Sequence, residues 1–180
     1  ALEAPAGLIR ASAACRDEKV TGVTGRNVPA FATHLDVPVE VPQLGTVTVD
    51  EDEVLEFARR FDPQPIHSDP GFAARGPFGG IIASGWHTGS LVMRLYALNY
   101  LSPASSLASP GMDELRWPRP VRPGDTLSVR VTVEEARASA SKPDRGVVRS
   151  LIEVLNQGGE PVMSMRVVNM IARRPAGAWR

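Results

Sequence analysis

Ser84-Gly85-Trp86-His87-Thr88-Gly89-Ser90-Leu91-Val92-Met93-Arg94-Leu95-Tyr96-Ala97-Leu98-Asn99-Tyr100 is the stretch on which the fold turns. It reads as one helix. Trp86, Leu91, Val92, Leu95, Tyr96 and Leu98 spread apolar side chains around most of its circumference. A helix of that kind belongs inside something. It is a poor membrane span, because His87, Arg94 and Asn99 fall within the apolar run of residues 81–101 and polar groups at the bilayer centre are costly.

The sequence after this helix supplies the wrapper. Leu127, Val129, Val131 and Val133 alternate with Ser128, Arg130, Thr132 and Glu134, the period of a strand with one buried face. Pro123-Gly124-Asp125, Lys142-Pro143-Asp144-Arg145-Gly146 and Asn156-Gln157-Gly158-Gly159 are turns. They delimit strands over 127–134, 147–155 and 161–171. A loop over 102–110 and a further strand over 112–117 precede them.

Upstream, Thr46-Val47-Thr48-Val49 is a short strand. Asp50 then caps a helix with Glu53 three residues on, and Val54, Phe57, Ala58 and Phe61 follow at helical spacing. Pro63 and Pro65 end that helix, and Asp69-Pro70 opens a short one reaching Ala74. Strands joined by tight turns are antiparallel. About five of them, with one apolar helix to bury, imply an α+β fold in which a curved antiparallel sheet wraps a long central helix. Residues 1–42, rich in Ala, Pro, Gly and Thr, read as an extension with a short strand at 19–24. Residues 43–173 form the domain and 174–180 a tail.

Composition narrows the function. Twenty basic and twenty acidic residues leave a formal charge of zero among 180 residues, so no global field draws in nucleic acid or an anionic membrane. Cys15 is the single cysteine, which excludes an internal disulfide and a cysteine metal site. His34, His67 and His87 lack helical metal-ligand spacing. The lone cysteine and the absence of a secretory pattern at the start of the chain favour the cytoplasm.

One segment carries chemistry: Asp62-Pro63-Gln64-Pro65-Ile66-His67-Ser68-Asp69-Pro70. It sets a carboxylate and an imidazole five residues apart across two prolines, which stiffen the loop. An Asp and a His converging on one water can position and deprotonate it. The plainer reading is that Asp62 ends one helix and His67 caps the next.

This segment, with Phe78-Gly79-Gly80-Ile81-Ile82-Ala83-Ser84-Gly85-Trp86, resembles the MaoC-like dehydratases, the hotdog-fold family that includes the (R)-specific enoyl-CoA hydratases. The resemblance continues through Leu115-Arg116-Trp117-Pro118-Arg119-Pro120-Val121-Arg122-Pro123-Gly124-Asp125-Thr126-Leu127, Ser139-Ala140-Ser141-Lys142-Pro143-Asp144-Arg145-Gly146 and Val154-Leu155-Asn156-Gln157-Gly158-Gly159. It spans roughly residues 45–171. It implies that Asp62 and His67 activate water and that the Gly85 N–H receives the thioester oxygen. Either member of the dyad can serve as base or acid. Gln64, Phe78, Gly80, Ser84 and Trp86 are candidate substrate contacts. Ser84 is read first as a helix cap, and Asp69 as another.

Two departures stand out: Gln64 replaces the common Asn, and Met93 stands where some hydratases carry a Ser that orients the dyad. The implied substrate is an acyl-CoA, with coenzyme A as part of the substrate and no other cofactor or metal. Arg116, Arg119, Arg122, Lys142 and Arg145 are candidates for its phosphates, although basic residues at turns are commonly just solvated. The implied assembly is a homodimer or a dimer of dimers. A hotdog thioesterase and a non-catalytic acyl-thioester binding subunit are the competing functions.

Overall fold

The computed structural model describes residues 38–41 and 43–173. Six strands form one antiparallel sheet: β1 (Val39–Val41), β2 (Thr46–Thr48), β3 (Ser106–Arg116), β4 (Thr126–Ala138), β5 (Arg145–Leu155) and β6 (Pro161–Ala172). Their order is β1-β4-β5-β6-β3, with β2 also pairing with β4. Four helices lie between β2 and β3: α1 (Glu51–Phe61), α2 (Pro65–Ser68), α3 (Pro70–Arg75) and α4 (Gly85–Asn99).

The long strands follow the alternation in the sequence. Leu127, Val129, Val131 and Val133 point into the core while their neighbours along β4 are less buried. The sixth strand, β1, was not expected, because residues 1–42 show little strand period apart from 19–24. It pairs Val39 with Val133 and Val41 with Val131, and β2 continues along the same edge of β4. Gly45, at φ 120°, lets the chain step between the two pairings. The expected strand at 19–24 lies outside the described residues. β3 starts at Ser106, where a loop was expected. Its register against β6 shifts three times, so its pairing is carried by bulges that polar residues tolerate.

α4 lies on the concave face of the sheet. Leu91, Val92, Leu95 and Tyr96 pack into one core with Val129, Val131, Ile152, Val154 and Met163. The helix is not enclosed on all sides, however. Trp86, Met93 and Leu98 are 59%, 48% and 69% exposed. A single sheet covers only one face of a helix, so an all-round apolar helix keeps an open side. α1 covers part of the remainder: it buries Val54 and Ala58 and sets Phe57 against His87 at 5.0 Å. Its start is capped as expected, with the Glu53 N–H donating to Asp50 Oδ1 at 3.0 Å. Asp69 likewise caps α3 through the Phe72 N–H.

Candidate active site

The acid–base segment is built by helix ends. Asp62 closes α1, its N–H donating to the Ala58 carbonyl at 2.9 Å. Pro63 has no N–H to continue the helix, so the chain turns there. α2 follows at once and carries His67, which is 7% exposed. This short helix was not anticipated, because two prolines in three residues suggested an irregular bend. Pro65 instead occupies its first turn, where a missing N–H does no harm.

α2 is tied twice to the segment that leads into α4. The Ile82 N–H donates to the Ile66 carbonyl at 3.4 Å. His67 Nδ1 lies 2.8 Å from the Ile82 carbonyl. A carbonyl can only accept, so Nδ1 carries a proton, and Nε2 is the nitrogen left to face Asp62. Nε2 stands 3.6 Å from Asp62 Oδ2. That exceeds a direct hydrogen bond, and one water can reach both atoms.

Both oxygens of Asp62 are held. Gln64 Nε2 donates to Oδ1 at 2.7 Å, and Ser84 Oγ donates to Oδ2 at 2.7 Å. These donors favour the charged form and hold the Asp62 carboxyl below the usual carboxylate range, Gln64 more than Ser84, with the nearby His67 adding to the effect against some desolvation. Ser84 does a second thing. It is completely buried, and its Oγ accepts the Trp86 N–H at 3.2 Å, capping α4. One hydroxyl therefore joins the carboxylate to the helix tip. Met93, where the resemblance places a Ser in some hydratases, is about half exposed.

A cleft of about 410 Å³ opens over this arrangement. Asp62, His67 and Gly85 lie along it, and Phe78, Trp86 and Trp117 wall it. Gln64 also faces it. Gly80 does not; it sits in the preceding turn at φ 156°, beside Arg122. Ser84 lies beneath the cleft and acts through Asp62. Gly85 begins α4, where N–H groups have no partner within the helix and the dipole favours negative charge. The space beside its Cα is filled by the Trp117 indole.

Among the proposed phosphate contacts, Arg119 reaches the cleft but is tied to Glu160 and to the Pro161 carbonyl. Arg122 donates to the Phe78 carbonyl. His87 is buried against Phe57 away from the cleft, and burial pushes its pKa down.

Trp117 is the wall residue that sequence reading missed. An aromatic side chain between a strand and Pro118 is a common pattern, and nothing local shows what it packs on.

A curved antiparallel sheet around one helix, with an acid–imidazole pair at the helix tip, defines a hotdog-fold protein with an acid–base cleft. The MaoC-like domain model matches residues 32–154, and the chain belongs to that family. A proline racemase model matches residues 1–51, less than a third of the chain and mostly outside the described residues. The MaoC-like dehydratase from Rhodospirillum rubrum is similar at 38% identity and a TM-score of 0.72, over 78% of this chain and 95% of that one. The R-hydratase PhaJ1 from Pseudomonas aeruginosa is similar at 29% identity and 0.61, over 78% and 84%. An uncharacterized Bacillus subtilis protein, YdeM, is 30% identical over 112 residues, 62% of this chain and 78% of that protein.

The clamp on Asp62 has a measurable consequence. Carboxyl-carbon NMR should place its titration below the usual value of about 3.9. Gln64→Leu and Ser84→Ala should each move it upward, Gln64→Leu further. Because the folded value is the lower one, Asp62 contributes stability above the unfolded value, and that stability is lost as pH falls through the folded value. An unchanged midpoint in both variants contradicts the clamp.

Proposed function

We propose that this protein adds water reversibly to a trans-2-enoyl thioester, giving a 3-hydroxyacyl thioester of (R) configuration. The observation that carries the reading is the convergence of Asp62, His67 and the start of α4 on one cleft. Membership of the MaoC-like family and similarity to an R-hydratase support it.

The geometry suggests how the dyad divides the labour. Asp62 stays ionised under its two donors and is a weak base for the same reason. His67 offers a free Nε2 lone pair. A water donating one hydrogen to Asp62 Oδ2 and the other to His67 Nε2 aims its own lone pair at the substrate. As it attacks C3, His67 takes the proton and the imidazolium is stabilised by the neighbouring carboxylate. The thioester oxygen gains charge and is met by the Gly85 N–H. The proton on Nε2 then passes to C2. Every proton is carried by these side chains and the water, so coenzyme A, as part of the substrate, is the only cofactor in this scheme.

The test is an assay on short and medium enoyl-CoA substrates that follows both loss of the conjugated thioester and release of free thiol. Hydration without thiol is expected. Asp62→Asn and His67→Ala should each lower kcat about 100-fold or more with the fold retained. Thiol release would mark a thioesterase, and neither signal a binding subunit.

We also propose a homodimer. Among the described residues β3 is an edge of the sheet, and it is exposed along most of its length, with Leu107 and Met112 about half exposed. An unpaired edge with apolar side chains is a template for another strand. Light scattering should give at least twice 19.3 kDa. A monomer at assay concentration contradicts this.

A further inference from the structure

Gly85 is gripped by a residue 32 positions away. Trp117 Nε1 donates to the Gly85 carbonyl at 3.2 Å. A Cβ added to Gly85 would stand 2.5 Å from Trp117 Cε2 and 2.7 Å from Nε1, so the indole lies directly on the glycine. Trp86 meets the same indole edge-on, with ring centroids 5.6 Å apart.

These contacts converge on one peptide unit. The carbonyl of Gly85 and the N–H of Trp86 belong to the same plane. Trp117 holds the carbonyl end, and Ser84 Oγ holds the N–H end at 3.2 Å. At the first peptide of a helix the N–H has no intrahelical partner, while the carbonyl is bonded to the N–H one turn on. Here a hydroxyl accepts that N–H, and the indole adds a second donor at the carbonyl.

β3 is shaped to deliver that indole. Glu114 has φ 54°, a left-handed conformation that non-glycine residues rarely adopt. The register against β6 shifts between Asp113 and Arg116. Such a bulge bends a strand and re-aims the side chains that follow. Glu114 is anchored by an ion pair with Arg166. Local strain of this kind persists where the surroundings hold it. Pro118 then keeps Trp117 in extended backbone.

We propose that Trp117 is a positioning residue: it orients the Gly85 N–H toward the cleft by clamping the peptide that follows it. This rests on the hydratase reading above, in which that N–H receives the thioester oxygen. Losing a donor of that kind costs about 100- to 1,000-fold in kcat, and misplacement by an ångström about 100-fold.

The experiment compares wild type, Trp117→Phe, Trp117→Ala, Gly85→Ala and the Gly85→Ala/Trp117→Ala double variant. Each is assayed for hydration of a short enoyl-CoA well below its Tm. Trp117→Phe keeps a ring over Gly85 and loses the N–H; its kcat should fall about 5- to 10-fold with KM within about twofold, since one hydrogen bond is at stake. Trp117→Ala should lose about 100-fold in kcat. The double variant should be no worse than Gly85→Ala alone, because both changes disable one device. A purely structural Trp117 would lower Tm and leave kcat intact. Wild-type-like kcat in Trp117→Ala, or losses that multiply in the double variant, overturns the proposal.

Amide hydrogen exchange at Gly85 and Trp86 gives a readout without turnover. Trp117→Phe should speed it, and unchanged exchange overturns the proposal. Should wild type hydrate no enoyl thioester, the hydratase reading fails, and the exchange result still decides whether Trp117 holds this peptide.

Discussion

The Ser84 hydroxyl holds the site together. It donates to the Asp62 carboxylate and accepts the N–H of Trp86, so the acid and the helix tip share one atom as their reference point. Ser84 is wholly buried, and a buried hydroxyl without partners would be costly. With both partners it ties α1, through Asp62, to α4. His67 adds a second tie through the Ile82 carbonyl, two residues upstream of Ser84. Three short segments from different parts of the chain are thus fixed to one another within hydrogen-bonding distance.

The sheet makes this local precision possible. α4 sits in its concave face against Val129, Val131, Ile152 and Val154, so the helix tip cannot shift without disturbing a close-packed core. The loop after β3 completes the frame. The Ala83 N–H donates to the Val121 carbonyl at 2.8 Å, which fastens the approach to α4 against the strand side of the cleft. Trp86 and Met93 on the open side of α4, and most of the edge strand β3, remain exposed.

Much of this was legible in the sequence because it rests on local signals. Strand alternation from Leu127 to Val133, the Asp50 cap and the proline-bounded Asp62–His67 segment each report a near-neighbour constraint. The apolar pattern of residues 84–100 marked the central helix, but it gave no sign that one side stays open, since that depends on how far a single sheet can curve. β1 was missed because a three-residue edge strand takes its stability from β4 rather than from its own period. Two of the functional links that escaped were long-range. Ser84 read as a cap, and it is one; its bond to Asp62 spans 22 residues. Gln64 read as a substrate contact; it faces the cleft, and its bond to the carboxylate two residues away was not anticipated. Trp117 carried no local signal, because its partner Gly85 lies on another element.

A single pair of groups that removes a proton from water and returns it to the substrate works from one face of the double bond. Hydration of an enoyl thioester in deuterated water, followed by NMR of the product, reads that face directly. One diastereomer is expected, with deuterium at C2 on the same side as the new hydroxyl at C3. Deuterium on the opposite side, or an even mixture of both, would contradict a shared Asp62–His67 site.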